Sequence, residues 1–325
     1  MFEIRLLNES DYEKWNEFVD NNKMGEVYYY SWWLEAVTNN DFKILVIMEE
    51  GILAGIPLPF YNTKKIRTPQ LTQTNGILFS DKIIEKNLSS RFSDERKYTN
   101  MIIEYIEKNN LKIKNIAFNY NYINWQPFYW KGYEQTTYYT CLIDYKKLEE
   151  PILCYSKPKL RKLKKAQRNN LKVFMDKLNE KEFYNYHIDI LKKRKLKISY
   201  SLELFKKIYF NSKKNNKSHI FSVEDETGRI HAAFFIVFDT FSAHYLITAI
   251  DDEMRNMEGT TLLLTYILEY FSRKKNYFNF EGSMIKGVFE SHIEMCTDVK
   301  SYIIIKEKPT LLKNIKNIIN ILRKK

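Results

Sequence analysis

The second half of the chain contains the stretch ETGRIHAAFFIVF at residues 226–238, where a polar turn leads into a run of β-branched and aromatic residues. The strand-like run 218–224 precedes it, and the residues 225–228 between the two runs are typical of a hairpin turn. In the first half, residues 49–60 read EEGILAGIPLPF, again a glycine-containing turn followed by a strand pattern. The two stretches predict a hairpin in each half and suggest that the chain repeats one folding unit.

The elements around these hairpins follow nearly the same order in both halves. In the first half the sequence predicts strands at 2–7, 42–48, 52–59, 76–79, 113–119 and 137–144, and helices at 9–21, 30–38 and 95–109. In the second half it predicts strands at 172–175, 218–224, 229–238, 242–250, 277–281 and 299–306, and helices at 180–195, 201–214, 260–275 and 286–296. Residues 105–120 also resemble residues 266–281. We therefore predict an α/β (α+β) fold with mixed sheets, in two tandem units at residues 1–148 and 149–325.

Composition limits the class of protein. The 325 residues are 44% hydrophobic and 28% charged, which excludes a disordered or collagen-like chain. The formal net charge of +12 favours anionic partners such as nucleic acid, phosphorylated ligands or anionic lipid. The three cysteines are widely spaced without a CxxC motif, so no metal site and no disulfide framework are predicted. The N-terminus is unlike a signal peptide and the apolar runs are short, so a cytoplasmic location is expected.

Three further stretches carry a family resemblance. They are the aromatic YYYSWWLE at residues 28–35, the basic KLRKLKKAQR at residues 159–168, and NFEGSMI at residues 279–285. In this element order they resemble the GNAT acyltransferase fold in its duplicated form, as in the FemAB-like (Fem-type) peptidyltransferases and their acetyltransferase relatives. The long helical arm of the tRNA-dependent Fem enzymes has no counterpart in this sequence.

The resemblance implies an acyl-CoA co-substrate, acetyl-CoA or another, bound by the second half. GNAT enzymes hold the CoA pyrophosphate where a loop of the form R/Q-x-x-G-x-G/A enters a helix, because the unpaired amides there attract anions. The matching loop supplies Arg255, Met257, Gly259 and Thr260 as candidate cofactor-binding residues, with Glu258 at the position of the first glycine. The alternative is an ordinary surface turn in which Thr260 is the N-cap. The corresponding segment of the first half, residues 91–95, has no glycine.

Glu281 is the candidate catalytic residue. It ends an apolar and aromatic strand, and the resemblance places that strand beside the substrate cleft. Amide-forming acyl transfer needs a neutral amine, and a carboxylate there could accept the proton. Partial burial would raise its pKa towards a useful range. The alternative is a glutamate that caps the amides of residues 282–284. The aligned residue of the first half is Tyr120.

Two segments are candidates for substrate binding. Residues 157–168 hold seven cations without an acid, and Arg161, Lys165 and Arg168 are predicted to contact a phosphate-rich ligand. The alternative is a solvated helix with Leu160 and Leu163 pointing inward. In the aromatic stretch 28–33, Trp32 could stack on an acceptor sugar, although aromatic residues at helical spacing are more often part of a core.

Two histidines and the C-terminal tail are interpreted first as structural features. His231 and His244 lie within predicted strands and are interpreted as structural residues. The tail 311–325 has apolar residues on one side and Lys or Arg on the other. Packing on the body of the protein is the first interpretation of this tail, and a helix on a membrane surface is the second.

Together these features predict an N-acyltransferase. It would move an acyl group, acetyl in the first instance, from acyl-CoA to a primary amine of an amino sugar or peptide in cell-envelope biosynthesis. The acceptor could be nucleotide-linked, and DNA is not an expected partner. One alternative is a peptidyltransferase that takes its donor from aminoacyl-tRNA and extends a peptidoglycan precursor. The other is a catalytically degenerate GNAT pair that binds an anionic ligand.

Overall fold

The computed structural model describes residues 2–60 and 63–308. The elements of the first half are β1 (Glu3–Leu6), α1 (Tyr12–Asp20), α2 (Ser31–Thr38), β2 (Phe42–Met48), β3 (Ile52–Pro59), β4 (Lys65–Arg67), β5 (Leu78–Phe79), α3 (Asp81–Ile84), α4 (Leu88–Lys108), β6 (Lys112–Ala117), α5 (Gln126–Trp130) and β7 (Glu134–Asp144). Those of the second half are α6 (Lys157–Ala166), β8 (Lys172–Met175), α7 (Glu180–Lys193), α8 (Leu202–Lys214), β9 (Ser218–Glu224), β10 (Ile230–Phe238), β11 (Ser242–Ile250), α9 (Gly259–Ser272), β12 (Tyr277–Asn279), α10 (Lys286–Ile293) and β13 (Asp298–Lys306).

The strands of the described residues form two sheets. The first has four strands in the order β1-β2-β3-β5, all antiparallel. The second has nine strands in the order β4-β6-β13-β7-β12-β11-β10-β9-β8, with two parallel pairs, β4 with β6 and β11 with β12. The predicted α/β fold with mixed sheets is confirmed. Both predicted hairpins are present, with turns at residues 49–51 between β2 and β3 and at residues 225–229 between β9 and β10.

The two halves exchange their last strands. β7 of the first half pairs with β12 of the second half, and β13 of the second half pairs with β6 of the first half. β7 and β13 also pair with each other along their whole length, from Asp298 opposite Leu142 to Lys306 opposite Glu134. Within the nine-stranded sheet, each half therefore places its last strand between two strands of the other half. The division of the chain at residues 148 and 149 stays a prediction, because no boundary in this continuous sheet tests it.

Apolar spacing explains which faces are buried. The five residues that the sequence predicts on one face of α9 are all buried: Leu263, Leu264, Ile267, Leu268 and Phe271. They cover one face of β9 and β10, while Phe183 of α7 and Phe205 of α8 pack against Phe235 on the other face. The core interpretation of the aromatic stretch 28–33 is confirmed, since its side chains are buried.

Several element ends differ from the prediction. The strand predicted at 277–281 ends at Asn279, because the backbone turns to positive φ at Glu281 and Gly282. Helix α4 begins at Leu88, so residues 91–95 lie within a helix and do not form a loop; Arg91 there pairs with the buried Glu95 at 2.6 Å. The tail 311–325 lies outside the described residues. In the described ranges, no helix has the length and apolarity needed to cross a bilayer.

Candidate functional site

The parallel strands β11 and β12 separate soon after they pair. They are in register over three residues, from Ser242 opposite Tyr277 to His244 opposite Asn279. β11 then continues to Ile250, while the chain after β12 turns away. A Cβ at Gly282 would lie 2.6 Å from the carbonyl oxygen of Tyr139, so the turn requires glycine for space as well as for its φ of 53°. This separation opens the sheet at one point and places Glu281 beside the opening.

A chain of three ionisable side chains fills this point. His244 is 0% exposed, and its Nε2 and Nδ1 atoms lie 2.7 Å from Asp239 Oδ2 and 2.7 Å from Glu281 Oε1. Burial alone would lower the pKa of His244, but the hydrogen bonds to both carboxylates outweigh it and raise the pKa to about 10. At neutral pH the imidazole is therefore protonated and donates through both nitrogens.

Asp239 is fixed in this position by the backbone of the turn between β10 and β11. Its Oδ1 accepts from the amides of Phe241 and Ser242 at 2.8 and 2.7 Å. Its Oδ2 accepts from His244 and from the amide of Val27, which belongs to the first half of the chain. Four donors satisfy this carboxylate, so Asp239 holds the imidazole in place.

The first half contributes three more side chains. With its amide nitrogen facing Glu281, Gln73 donates to Glu281 Oε2 at 2.5 Å and to Oε1 at 3.0 Å. The ring of Tyr28 packs edge-on against His244, with the centroids 5.3 Å apart. Glu26 is 4% exposed and accepts from the hydroxyl of Thr74. We call Glu26, Asp239, His244 and Glu281 the buried charge cluster.

Glu26 differs from the other carboxylates of the cluster. Burial raises the pKa of Glu26 to about 7, although the positive charge of His244 and the Thr74 hydroxyl act in the opposite direction. Glu26 also lines a cavity of about 350 Å³ between the two halves. Other residues of its wall are Lys23, Arg91, Tyr120, Asp144, Ser242, Tyr277 and Asp298. We call this space the inter-half cavity; its wall mixes acidic, basic and aromatic groups.

The structure places Glu281 where β11 and β12 separate; the sequence resemblance predicted a position beside a substrate cleft. The side chain is 11% exposed and its oxygens accept from His244 and Gln73. Among the described residues no hydrogen bond joins its carboxylate to the amides of residues 282–284, which was the capping alternative. A role as proton acceptor stays a prediction.

The predicted cofactor loop enters a helix, as expected, but its side chains are used locally. α9 begins at Gly259, and its N-cap is Glu258, with a φ of 58°, rather than Thr260. The Arg255 guanidinium is 72% exposed and pairs with Asp252, and the carbonyl of Met257 accepts from Asn169. A Cβ at Gly259 would meet the Cβ of His231 at 3.1 Å, so helix packing is one reason for this glycine. Binding of a cofactor here stays a prediction.

The predicted substrate residues lie apart from the charge cluster. Arg161, Lys165 and Arg168 are exposed on or just after α6, whereas Lys159 of the same segment is buried near Glu294. Trp32 is only 9% exposed, because its ring stacks on Tyr30 with the centroids 5.3 Å apart. Contact of these four residues with a substrate stays a prediction.

Sequence reasoning missed most of the cluster. It treated His244 as structural and did not consider Glu26, Gln73 or Asp239. His231, grouped with His244, instead bonds to Asp225 at 3.0 Å in the β9–β10 hairpin. One signal was available: His244 is a polar residue in a strand whose neighbours are apolar or aromatic. Within the described ranges, no group of three His, Cys, Asp or Glu side chains is arranged to hold a metal ion.

Comparisons with known proteins identify the fold. No family model matches the sequence, and no curated protein matches it. The structure of FemX superposes with a TM-score of 0.68 at 11% identity, over 93% of this chain and 96% of FemX. L-PGS from Bacillus licheniformis gives 0.53 at 10% identity, over 97% and 96% of the two chains. A GNAT-family acetyltransferase from Colwellia psychrerythraea gives 0.52 at 10% identity, over 94% and 100%.

These superpositions cover nearly the whole chain. The chain therefore has the same fold as FemX and the GNAT-family acetyltransferase, as the sequence resemblance predicted. About one residue in ten is identical in these comparisons. They therefore identify the fold alone, and the chemistry depends on this chain's own residues.

Proposed function

We propose that this protein is a transferase that moves an acyl group from an activated donor to a primary amine. The observation that carries the proposal is the buried charge cluster at the separation of β11 and β12. Burying ionised groups is costly, and a protonated histidine between two carboxylates adds little net stability over an apolar core. Groups of this kind occur most often where a reaction needs them.

The backbone beside the cluster offers a second catalytic element. Phe235 of β10 lies opposite Ile247, but the next residue, Ile236, lies opposite Tyr245, so Leu246 is an extra residue in β11. Such a bulge interrupts the ladder and leaves backbone groups unpaired. An amide at the bulge could donate to the carbonyl oxygen of the acyl group, where negative charge develops during attack. Catalysis would then combine positioning, this donor and proton removal.

Acyl-CoA is the donor that we propose first. Its pyrophosphate would lie against the loop of Arg255, Met257, Gly259 and Thr260, because the first amides of α9 point out of that helix. The acceptor would be an amino-sugar or peptide amine of cell-envelope chemistry, free or nucleotide-linked, held in the inter-half cavity. Glu281 is the proton acceptor in this first form of the proposal.

Aminoacyl-tRNA is the second donor, and one observation favours it. Arg161, Lys165 and Arg168 are exposed on one segment, where they could contact a nucleic-acid backbone. The helical pair α7 and α8 does not supply an arm for tRNA, because Phe183 and Phe205 bury it against the body of the protein.

A donor comparison tests the proposal. Purified protein is offered several acyl-CoAs or aminoacyl-tRNAs together with amino-sugar and peptide amines, and the amide product is measured by mass spectrometry. We expect product with one donor class and a 10²–10⁴-fold lower kcat in Glu281→Gln, the usual effect of removing a positioned base. Glu290→Gln, an exposed change on α10, is the matched control.

The outcomes separate the alternatives. Product from acyl-CoA alone supports the first donor, and product from aminoacyl-tRNA alone supports the second. Binding of CoA or tRNA without any product would identify the protein as a ligand-binding GNAT pair and refute the proposal. Wild-type activity in Glu281→Gln would remove Glu281 as the proton acceptor.

A further inference from the structure

Glu26 is placed where a ligand could reach it and where few groups neutralise it. It lies just before the turn Val27–Tyr29 and lines the inter-half cavity. Of the other three carboxylates of the wall, Glu85 and Asp298 are paired with Lys23 and Lys147, and Asp144 accepts from the amide of Lys146. Glu26 has the hydroxyl of Thr74 as its hydrogen-bond partner. Its negative charge is therefore available to a cationic ligand in a way that those of Glu85 and Asp298 are not.

Charged and titratable groups from both halves of the chain act on Glu26 or lie in the same cavity wall. Beyond the cavity-wall residues Lys23 and Arg91, they are Tyr28 and Tyr29 of its own segment, Tyr120 after β6, Asp239 of the β10–β11 turn, His244 of β11, Glu281 after β12 and Tyr302 of β13. His244 favours the ionised form of Glu26, while Asp239 and Glu281 oppose it. With the cost of burial, this balance leaves Glu26 able to gain or lose a proton near neutral pH.

We propose that Glu26 binds the ammonium group of a primary amine in the inter-half cavity and accepts a proton from it when the amine reacts. This inference rests on the proposed function, and it moves proton removal from Glu281 to Glu26. The oxygens of Glu281 already accept from the protonated His244 and from Gln73. Glu281 and Asp239 then act as positioning residues, which hold the positive charge of His244 near Glu26.

The proton and electron balance of the step is complete. The ammonium group gives one proton to Glu26 and becomes a neutral amine. The amine nitrogen forms a bond to the acyl carbonyl carbon, and the carbon–sulfur bond of a thioester breaks, or the carbon–oxygen bond of an aminoacyl ester. The leaving sulfur or oxygen takes the bonding electrons and receives the second proton of the nitrogen. Glu26 returns its proton to solvent through the cavity after the amide product leaves.

The first test needs no enzymatic activity. Protein labelled with ¹³C at the glutamate carboxyl groups is titrated by NMR, with n-propylammonium chloride as the probe. We expect one carboxyl group that titrates near neutral pH, disappears in Glu26→Gln and persists in Glu224→Gln, another buried carboxylate, which pairs with Lys177. The ammonium probe should lower the midpoint by about one pH unit, as an adjacent opposite charge does. Equal concentrations of sodium chloride and n-propanol should not.

A second variant protects the test against misfolding. Thr74→Val removes the hydroxyl that stabilises ionised Glu26 and keeps the carboxylate, so the midpoint of the Glu26 titration should rise.

The second experiment measures acyl transfer. Glu26→Gln should lower kcat at least 100-fold, raise the KM of the amine and remove the low-pH limb of the rate profile.

The outcomes distinguish this inference from the proposed function. No ammonium-dependent shift of the Glu26 midpoint overturns the inference, even in a protein that transfers acyl groups. Near-wild-type transfer by Glu26→Gln also overturns it. A shift in a protein that acylates no amine supports the ammonium site and refutes the proposed transferase.

Discussion

The two halves of the molecule end their parallel strands differently. In the second half, β12 pairs with β11 over three residues before the chain turns at Glu281. In the first half, the corresponding strands β5 and β6 belong to different sheets. The residue that the repeat aligns with Glu281 is Tyr120, whose pKa burial raises. The same order of elements therefore supports a charged site in one half and a neutral wall in the other.

The difference shows how the two halves of a duplicated fold can both contribute to one site. The first half contributes Glu26 to the buried charge cluster, and its Tyr28 and Gln73 contact His244 and Glu281 of that cluster. The exchanged strands β7 and β13 hold the halves together beside this point. The site therefore belongs to both halves at once, and variants in either half should affect it.

The largest expected effect is on His244. His244→Leu removes the positive charge between Asp239 and Glu281 and leaves both carboxylates buried without it. We expect a loss of about 3–5 kcal/mol in the free energy of unfolding, the usual effect of breaking a buried ion pair. The comparison in the first half is Arg91→Met, which leaves the buried carboxylate of Glu95 without its partner. This change should lower the free energy of unfolding by less, because a single carboxylate can take up a proton. Urea denaturation measures both, and equal losses would contradict the special position of His244.

The second effect is on the pH dependence of stability. The pKa of His244 is about 10 in the folded protein and about 6.5 when unfolded. Folding therefore gains stability that is complete below pH 6.5 and is lost as pH rises towards 10. We expect the free energy of unfolding to fall by about 3–4 kcal/mol between pH 6.5 and 9.5. Denaturation in a pH series measures it.

The Glu26 carboxylate makes the free energy of unfolding depend on pH over a second, lower range. Its pKa is raised from 4.5 to about 7, so the unfolded chain loses this proton first and stability falls as pH rises from 4.5 to 7. Glu26→Gln should flatten the lower range. His244→Asn should flatten the upper range and also extend the lower range to higher pH, because the charge of His244 lowers the pKa of Glu26. Unchanged slopes in these two variants would show that other groups produce the dependence.

A third, smaller effect is expected at the turn after β12. Gly282→Ala forces a Cβ against the carbonyl of Tyr139 at a positive φ, and it should cost about 1–3 kcal/mol. The controls are Gly51 and Gly228 in the matching hairpins, which have positive φ but no atom within 4 Å of the added Cβ. Each Gly→Ala change there carries only the backbone strain of a positive φ, about 1–2 kcal/mol, without the added contact. Thermal and urea unfolding compare the three, and equal costs would argue against the close approach at Gly282.

The smallest effect on stability is expected from the exposed cations of the basic segment 157–168. Replacing Arg161, Lys165 and Arg168 with Gln should change the free energy of unfolding by less than about 0.5 kcal/mol, because exposed positions contribute little. If these residues contact phosphate, the variant should bind its anionic ligand more weakly and with a shallower salt dependence. Binding in a salt series measures this. The same slope in both proteins would leave this segment as a solvated helix surface.

The parts of the fold that depend on short-range sequence patterns were predictable. The positions of β2, β3, β9 and β11 match the prediction, because alternating or continuous apolar runs bounded by turn residues determine them. The buried face of α9 follows in the same way from the spacing of its apolar residues. The short elements β4 and α5 were missed, since three to five residues carry too little periodicity.

The candidate site was predictable only at one residue. Glu281 is recognisable because an acidic residue follows an apolar strand in an order that resembles a known fold. The residues that surround it lie far away in the sequence, from Glu26 to His244. Nothing in their local sequence marks them as neighbours of Glu281. The protonation of His244 also depends on two carboxylates brought to its opposite sides, and not on the sequence of its strand.

The sequence by itself therefore determined the order of the elements, the two hairpins and the amphipathic helices, since these depend on contacts within a few residues. Only the tertiary structure decided that β7 and β13 change places, that Glu26 and Gln73 reach Glu281, and that Lys159 is buried while its neighbours are exposed. The physical reason is the same for all three. Strand pairing across the halves and the charge of a buried group depend on residues far apart in the chain, whose proximity exists only after folding.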